Sequence, residues 1–160
     1  MNKVVFLDRD GVINFEPGDY TFEVGKFKFV EGLFEALQQL KEKGYQFIVI
    51  TNQGGISKGI YTHKAVKLVH DYMKNCLKEN NIDLLNIYYC PHHTANEKCI
   101  CRKPDSLMLE KAIARYNINK TTAFFIGDSK RDILAAEKAG IKGILIPSNA
   151  PLTNYLNQIN

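Results

Sequence analysis

Short runs that are apolar on both faces limit this chain more than any other feature. The pattern predicts strands over residues 3–8, 46–51, 86–89, 122–126 and 143–146. Val4-Val5-Phe6-Leu7, Phe47-Ile48-Val49-Ile50 and Phe124-Phe125-Ile126 carry no polar residue on alternate positions. A strand apolar on both sides must be covered on both sides, and that is the position of a parallel sheet between two helical layers. The segments between the runs supply the cover. A helix is expected over 31–43, with Leu33, Phe34, Leu37 and Leu40 on one face and Gly44 as its stop. Thr62 caps a longer helix to about Glu79, along the stripe Ala65, Val66, Val69, Tyr72, Met73, Cys76 and Leu77. Further helices are expected over 106–116 and 131–139, the latter stopped by Gly140, and a short one over 152–158. At 160 residues the expectation is a single α/β domain spanning 1–160.

Composition narrows the function classes. The hydrophobic share is 45% and the charged share 24%, ordinary for a packed globular chain. No apolar run approaches the roughly 20 residues of a membrane span, and the first apolar stretch is broken by Asp8-Arg9-Asp10. A cytoplasmic monomer with no membrane partner is expected. The net charge of +4 is spread over scattered lysines with no basic tract, which argues against nucleic acid as a partner. Cys90, Cys99 and Cys101 fall within twelve residues, with His92 and His93 among them. Outside a secreted chain, such a cluster reads as a metal site before it reads as disulfides. Cys76 reads as core, and His63 and His70 as solvated or locally satisfied.

In parallel sheets, ligands bind beyond the carboxyl ends of the strands. The residues there are Asp8-Arg9-Asp10-Gly11, Thr51-Asn52-Gln53-Gly54-Gly55, Cys90-Pro91-His92 and Gly127-Asp128-Ser129. No Gly-x-Gly-x-x-Gly follows the first strand and no Gly-x-x-x-x-Gly-Lys-Ser/Thr occurs, so dinucleotide and P-loop readings lack their fingerprints. Asp8 and Asp10 at a buried strand end repel each other and lose hydration. With Asp128 they form a three-carboxylate set without histidine, which suits Mg²⁺, an ion that usually accompanies phosphate. The bland alternative is a solvated turn, and Asp132 has the place of a helix cap. Thr51 with the exposed N–H groups near Gly54 and Gly55 suits phosphate oxygens. Arg102 and Lys103 add two cations before a helix.

Asp8-x-Asp10-Gly11-Val12, Thr51, Lys103 and Gly127-Asp128-x3-Asp132 resemble, in order and spacing, the four motifs of the haloacid dehalogenase-like phosphohydrolases. Asp8-Arg9-Asp10-Gly11-Val12-Ile13-Asn14, Thr51-Asn52-Gln53-Gly54-Gly55-Ile56, Cys90-Pro91-His92-His93 and Cys99-x-Cys101-Arg102-Lys103-Pro104 look like the branch that holds heptose bisphosphate and histidinol-phosphate phosphatases. The resemblance implies a Rossmann-like three-layer α/β/α fold and a Mg²⁺-dependent phosphomonoester hydrolase. Asp8 would be the nucleophile that becomes an aspartyl phosphate, and Asp10 the general acid and then base. Mg²⁺ would be held by Asp8, the backbone carbonyl of Asp10 and Asp128. Thr51 and Lys103 would hold the phosphoryl oxygens. Glu16, Asp19, Asn52, Gln53, Gly54, Arg102 and Ser129 would face the substrate.

The same branch carries a zinc loop. Cys90, His92, Cys99 and Cys101 form a closed tetrahedral set for a structural Zn²⁺ over 90–101, with His92 preferred to His93. No stretch is left over for a large cap domain, so the site should be open, roofed by residues 15–28 and the zinc loop. Residues 54–59 and 27–32 look like the heptose enzymes, whereas the short zinc loop looks like the histidinol-phosphate enzymes. Ser129 stands where heptose phosphatases often have Lys. The heptose 1,7-bisphosphate, losing its 7-phosphate, is the preferred substrate, and histidinol phosphate the alternative. A different class is a non-catalytic phosphate-binding module. A receiver-type phosphoacceptor would place its acidic residues on separate strands, unlike Asp8-x-Asp10.

Overall fold

The computed structural model describes residues 1–159. Strand β1 (Val4–Leu7) is followed by a long loop, α1 (Leu33–Glu42), β2 (Gln46–Asn52), α2 (His63–Glu79) and β3 (Leu84–Cys90). Then come α3 (Leu107–Arg115), β4 (Phe124–Gly127), α4 (Lys130–Ala139) and β5 (Lys142–Leu145), and the chain closes on a 3-10 turn, Leu152–Gln158. The strands form one sheet in the order β3-β2-β1-β4-β5 with every pairing parallel. The first strand thus lies at the centre, between Phe47 and Phe124 at Val5. Its alternate side chains feed two cores, as the all-apolar pattern requires. Val5 and Leu7 pack with α1, α2 and the final turn; Val4 and Phe6 pack with α3 and α4. Among the described residues, no helix is long and apolar enough to cross a membrane.

Several boundaries differ from the expected ones, each for a local reason. Helix α1 starts at Leu33 rather than 31 because Gly32 is left-handed at φ 74°. Strand β4 starts at Phe124 rather than 122 because residues 120–122 form a 3-10 turn, in which the Asn119 side chain accepts the Thr121 N–H at 3.1 Å. Strand β3 begins two residues early, past a register shift at Phe47/Ile48. Helix α2 begins as expected, with the Thr62 hydroxyl accepting the Ala65 N–H at 3.2 Å. Cys76, expected in the core, is only half-buried.

Candidate active site

Asp8 follows the last residue of β1, and its N–H still donates to Ile126 of β4 at 3.0 Å. The chain then turns: the Arg9 carbonyl accepts N–H bonds from Ile13 and Asn14 at 2.8 and 3.1 Å. Gly11 sits in this turn at φ 84°, where a Cβ would lie 2.0 Å from Asp128 Oδ2, so only glycine lets the β4 carboxylate approach.

Lys103 lies at the centre of the arrangement and is 3% exposed. Its Nζ reaches Asp8 Oδ1 at 2.9 Å and Asp132 Oδ1 at 2.6 Å, and donates to the Ile50 carbonyl at 3.1 Å. Burial opposes its charge, but Asp8 and Asp132 outweigh that and raise its pKa. Burial pushes Asp8 up to about 7; Lys103 pulls it back, while Asp132 and Asp10 add to the push. Asp128 is also raised, by burial first, with Ser148 opposing. Carboxylate oxygens of Asp8, Asp128 and Asp132 lie within 4.8 Å of one another. A hard cation is the natural relief for such crowding, so the donor set fits Mg²⁺. Asp132 has two other duties. Its Oδ2 accepts the Ser129 N–H at 3.1 Å in a capping box, while Oδ1 takes Lys103.

These groups open into a pocket of about 540 Å³ with Asp8, Asp10, Lys103 and Asp128 inside. One side of its rim is the loop bearing Glu16, Asp19 and Tyr20; the other is Gly54, His93, Arg102 and Arg131. Ser129 lines it too, its hydroxyl accepting the Arg131 N–H at 3.3 Å. Arg102 donates to the His92 carbonyl at 3.1 Å. Among the described residues, a loop and α1 lie between β1 and β2 and only α2 between β2 and β3, which leaves no separate folded domain over the pocket. The side chains of three expected contacts are engaged by protein groups, although Asn52 and Gln53 line the pocket. Thr51 is 1% exposed, and its hydroxyl accepts an N–H of Gln53 Nε2 at 3.0 Å. The Asn52 amide clamps the Lys103 backbone, accepting its N–H at 3.0 Å and donating to its carbonyl at 3.2 Å. Gln53 lines the pocket, but its side chain is hydrogen-bonded to protein groups.

Cys90 ends β3, and Cys90, His92, Cys99 and Cys101 bring one donor atom each within 4.8 Å of one another. Cys90 Sγ lies 3.7 Å from Cys99 Sγ, 2.9 Å from Cys101 Sγ and 3.4 Å from His92 Nδ1, so the Cys90–Cys101 pair would have to spread for the ion. Around a zinc ion with Zn–S of about 2.3 Å, thiolates sit roughly 3.8 Å apart. All four cysteines are free. Burial raises the Cys90 thiol, a barrier that a bound cation removes. His93 belongs instead to the pocket rim.

Sequence reasoning missed Arg9 and His70. Arg9 is 0% exposed, paired to Asp10 at 2.9 Å and donating to the Thr21 carbonyl at 2.7 Å. Its Nη1 lies 3.3 Å from His70 Nε2. An arginine only donates, so that nitrogen is the unprotonated one. His70 is therefore neither solvated nor locally satisfied. The only available signal was a cation set between two acids after a buried strand. Burial, with help from Arg9, drives the His70 pKa from 6.5 to about 3. Between these values the unfolded chain takes up a proton that the folded chain refuses, so this term is lost as pH falls below 6.5. Raised Asp8 has the opposite slope in the same window, so the difference between two proteins is the measure. His70→Gln keeps an acceptor for Arg9. Its stability, from urea melts at pH 5 and 7, should fall less on acidification than wild type, by up to about 1.4 kcal/mol per pH unit. Parallel profiles would show that His70 titrates normally.

The chain and its fold have counterparts. Residues 18–146 match the family model described as haloacid dehalogenase-like hydrolase. The D-glycero-beta-D-manno-heptose-1,7-bisphosphate 7-phosphatase of Pasteurella multocida is 42% identical over 159 residues, covering 96% of this chain and 86% of that protein. An alpha-anomer counterpart from Photorhabdus laumondii is 37% identical, covering 96% and 90%. Among solved structures, the D,D-heptose 1,7-bisphosphate phosphatase of B. bronchiseptica, complexed with magnesium and phosphate, superposes with a TM-score of 0.85 at 28% identity, covering 98% and 86%. The chain belongs to the haloacid dehalogenase-like hydrolase family.

Proposed function

We propose that this protein is a Mg²⁺-dependent phosphatase that removes the 7-phosphate of D-glycero-D-manno-heptose 1,7-bisphosphate. The observation that carries the reading is the state of Asp8. Arg9 N–H and Lys103 Nζ both bond its Oδ1, so Oδ2 has no hydrogen bond among the described residues and is free to attack. In the proposed first step, Oδ2 bonds to phosphorus as the bond to the ester oxygen breaks, and Asp10 gives that oxygen a proton. Asp10 then takes a proton from the water that attacks the aspartyl phosphate, releasing phosphate and restoring Asp8. Lys103 neutralises the phosphoryl oxygens from where it sits between Asp8 and Asp132. Thr51, near the end of β2, is proposed to help hold those oxygens. The side chains of Asp8 and Asp128 and the Asp10 carbonyl would hold Mg²⁺, with Asp132 bracing Lys103. When bound, the ion offsets the repulsion between carboxylate and phosphate.

The heptose substrate is supported by the curated relatives, and the rim's acidic and basic sides suit a polyhydroxy phosphate. Cys90, His92, Cys99 and Cys101 are proposed to hold one structural Zn²⁺. Purified protein should release phosphate from the heptose bisphosphate with Mg²⁺, lose that activity in EDTA and regain it when Mg²⁺ is returned. Testing both anomers beside histidinol phosphate reads out the substrate. Preference for histidinol phosphate would overturn the heptose assignment, and full activity in metal-free buffer would overturn the Mg²⁺ assignment.

A further inference from the structure

We infer that Gln53, locked by Tyr61, is a positioning residue that aims the proton-carrying oxygen of Asp10 at the leaving group; this rests on the phosphatase reading above. The Asp10 carboxylate is held unevenly. Arg9 Nη2 and Asn14 Nδ2 both donate to Oδ1, at 2.9 and 3.0 Å. Oδ2 receives one bond, from Gln53 Nε2 at 3.1 Å. Oδ1 is thus anchored twice, and Oδ2 keeps a lone pair for a proton.

The direction of the Gln53 amide is determined by its neighbours. A carboxylate accepts, so the amide nitrogen must face Asp10, and the same nitrogen lies 3.0 Å from Thr51 Oγ1. The amide oxygen then faces Tyr61, whose hydroxyl donates to it at 2.7 Å. Gln53 and Tyr61 are buried, at 3% and 7% exposure, which strengthens these bonds in a low-dielectric surrounding. The main chain is fixed as well, since the Gln53 N–H donates to the Cys90 carbonyl at 2.7 Å.

Tyr61 is held in place by its own packing. Its ring stacks on Phe22 with centroids 5.0 Å apart and meets Tyr20 edge-on at 5.8 Å. It also lies against the backbone at Gly55, where a Cβ would come within 2.1 Å of Tyr61 Cε1. Tyr20 and Phe22 belong to the loop that forms the acidic rim. A continuous set of contacts therefore joins that loop through Tyr61 and Gln53 to Asp10.

A group that aims a proton donor matters in proportion to how much the leaving group needs the proton. A sugar alkoxide needs it; a nitrophenolate leaves without it. Tyr61→Phe keeps the ring and frees the amide to rotate, whereas Gln53→Met keeps the bulk and removes the amide. On the heptose bisphosphate, kcat should fall about tenfold in Tyr61→Phe and about a hundredfold in Gln53→Met, with KM nearly unchanged. On p-nitrophenyl phosphate the pre-steady-state burst of nitrophenolate, which needs no proton from Asp10, should in the same variants stay within about threefold of wild type, whereas steady-state turnover also reads the water step in which Asp10 is the base. A nitrophenolate burst slowed as much as kcat on the heptose bisphosphate, or a change confined to KM, would overturn the positioning role. If Gln53→Met does not fold, Tyr61→Phe decides the matter alone. Wild-type protein inactive on both esters would overturn the phosphatase reading instead.

Discussion

Asp8→Asn is expected to remove turnover by on the order of 10⁴-fold or more while leaving the fold in place. A loss of that size corresponds to about 5 kcal/mol of transition-state stabilisation. An amide oxygen is a poor nucleophile at phosphorus and a weaker ligand for a hard cation. The fold should tolerate the change for a reason visible in the site. Burial already disfavours the charged form of Asp8, and a neutral side chain of the same shape removes that strain. Lys103 keeps its second partner, Asp132, at 2.6 Å. Phosphate release measured beside a thermal melt separates the two effects. Near-normal turnover in a folded variant would take Asp8 out of the chemistry.

The second large effect is expected at the sulfur cluster. Wild-type protein should hold one zinc per chain, and Cys99→Ser should lose it. Residues 94–98 are exposed and polar, so the loop has no core of its own and metal binding must supply its order. Cys101 leads directly into Arg102 and Lys103, and the Cys90 carbonyl receives Gln53. Displacing these by an ångström should lower kcat/KM by about a hundredfold, while the sheet still melts cooperatively. Elemental analysis with kinetics checks both parts. Zinc retained in full by Cys99→Ser, or absent from wild type, would remove these ligands from the proposal.

Much of this was legible because each strand end is a junction between two sequence patterns. The apolar runs gave the layers, and the polar residues after them gave Asp8, Asp10, Asp128 and the cysteine cluster. What stayed hidden depends on contacts between elements. Asn52 and Gln53 carry the side chains of substrate binders, but tertiary contacts turn their amides to Lys103 and Asp10. His70 falls on a helical stripe next to ordinary core positions, and only the fold shows a buried arginine facing it. Asp132, read as a helix cap from sequence, caps α4 and also pairs with Lys103, because one carboxylate has two oxygens.

The place of β1 in the sheet also governs how the molecule must be made. The strand that leads to Asp8 is synthesised before the other four, yet it ends at the centre, and its β4 partner follows more than a hundred residues later. β2 and β3 can pair on one side of it early. Until Phe124, Phe125 and Ile126 emerge, the other side of Val5, Phe6 and Leu7 is an open apolar edge that any extended chain could join. A nascent chain that stalls before residue 124 would therefore lack Asp128 and also expose its stickiest strand, so premature termination should yield aggregates rather than a partly active fragment.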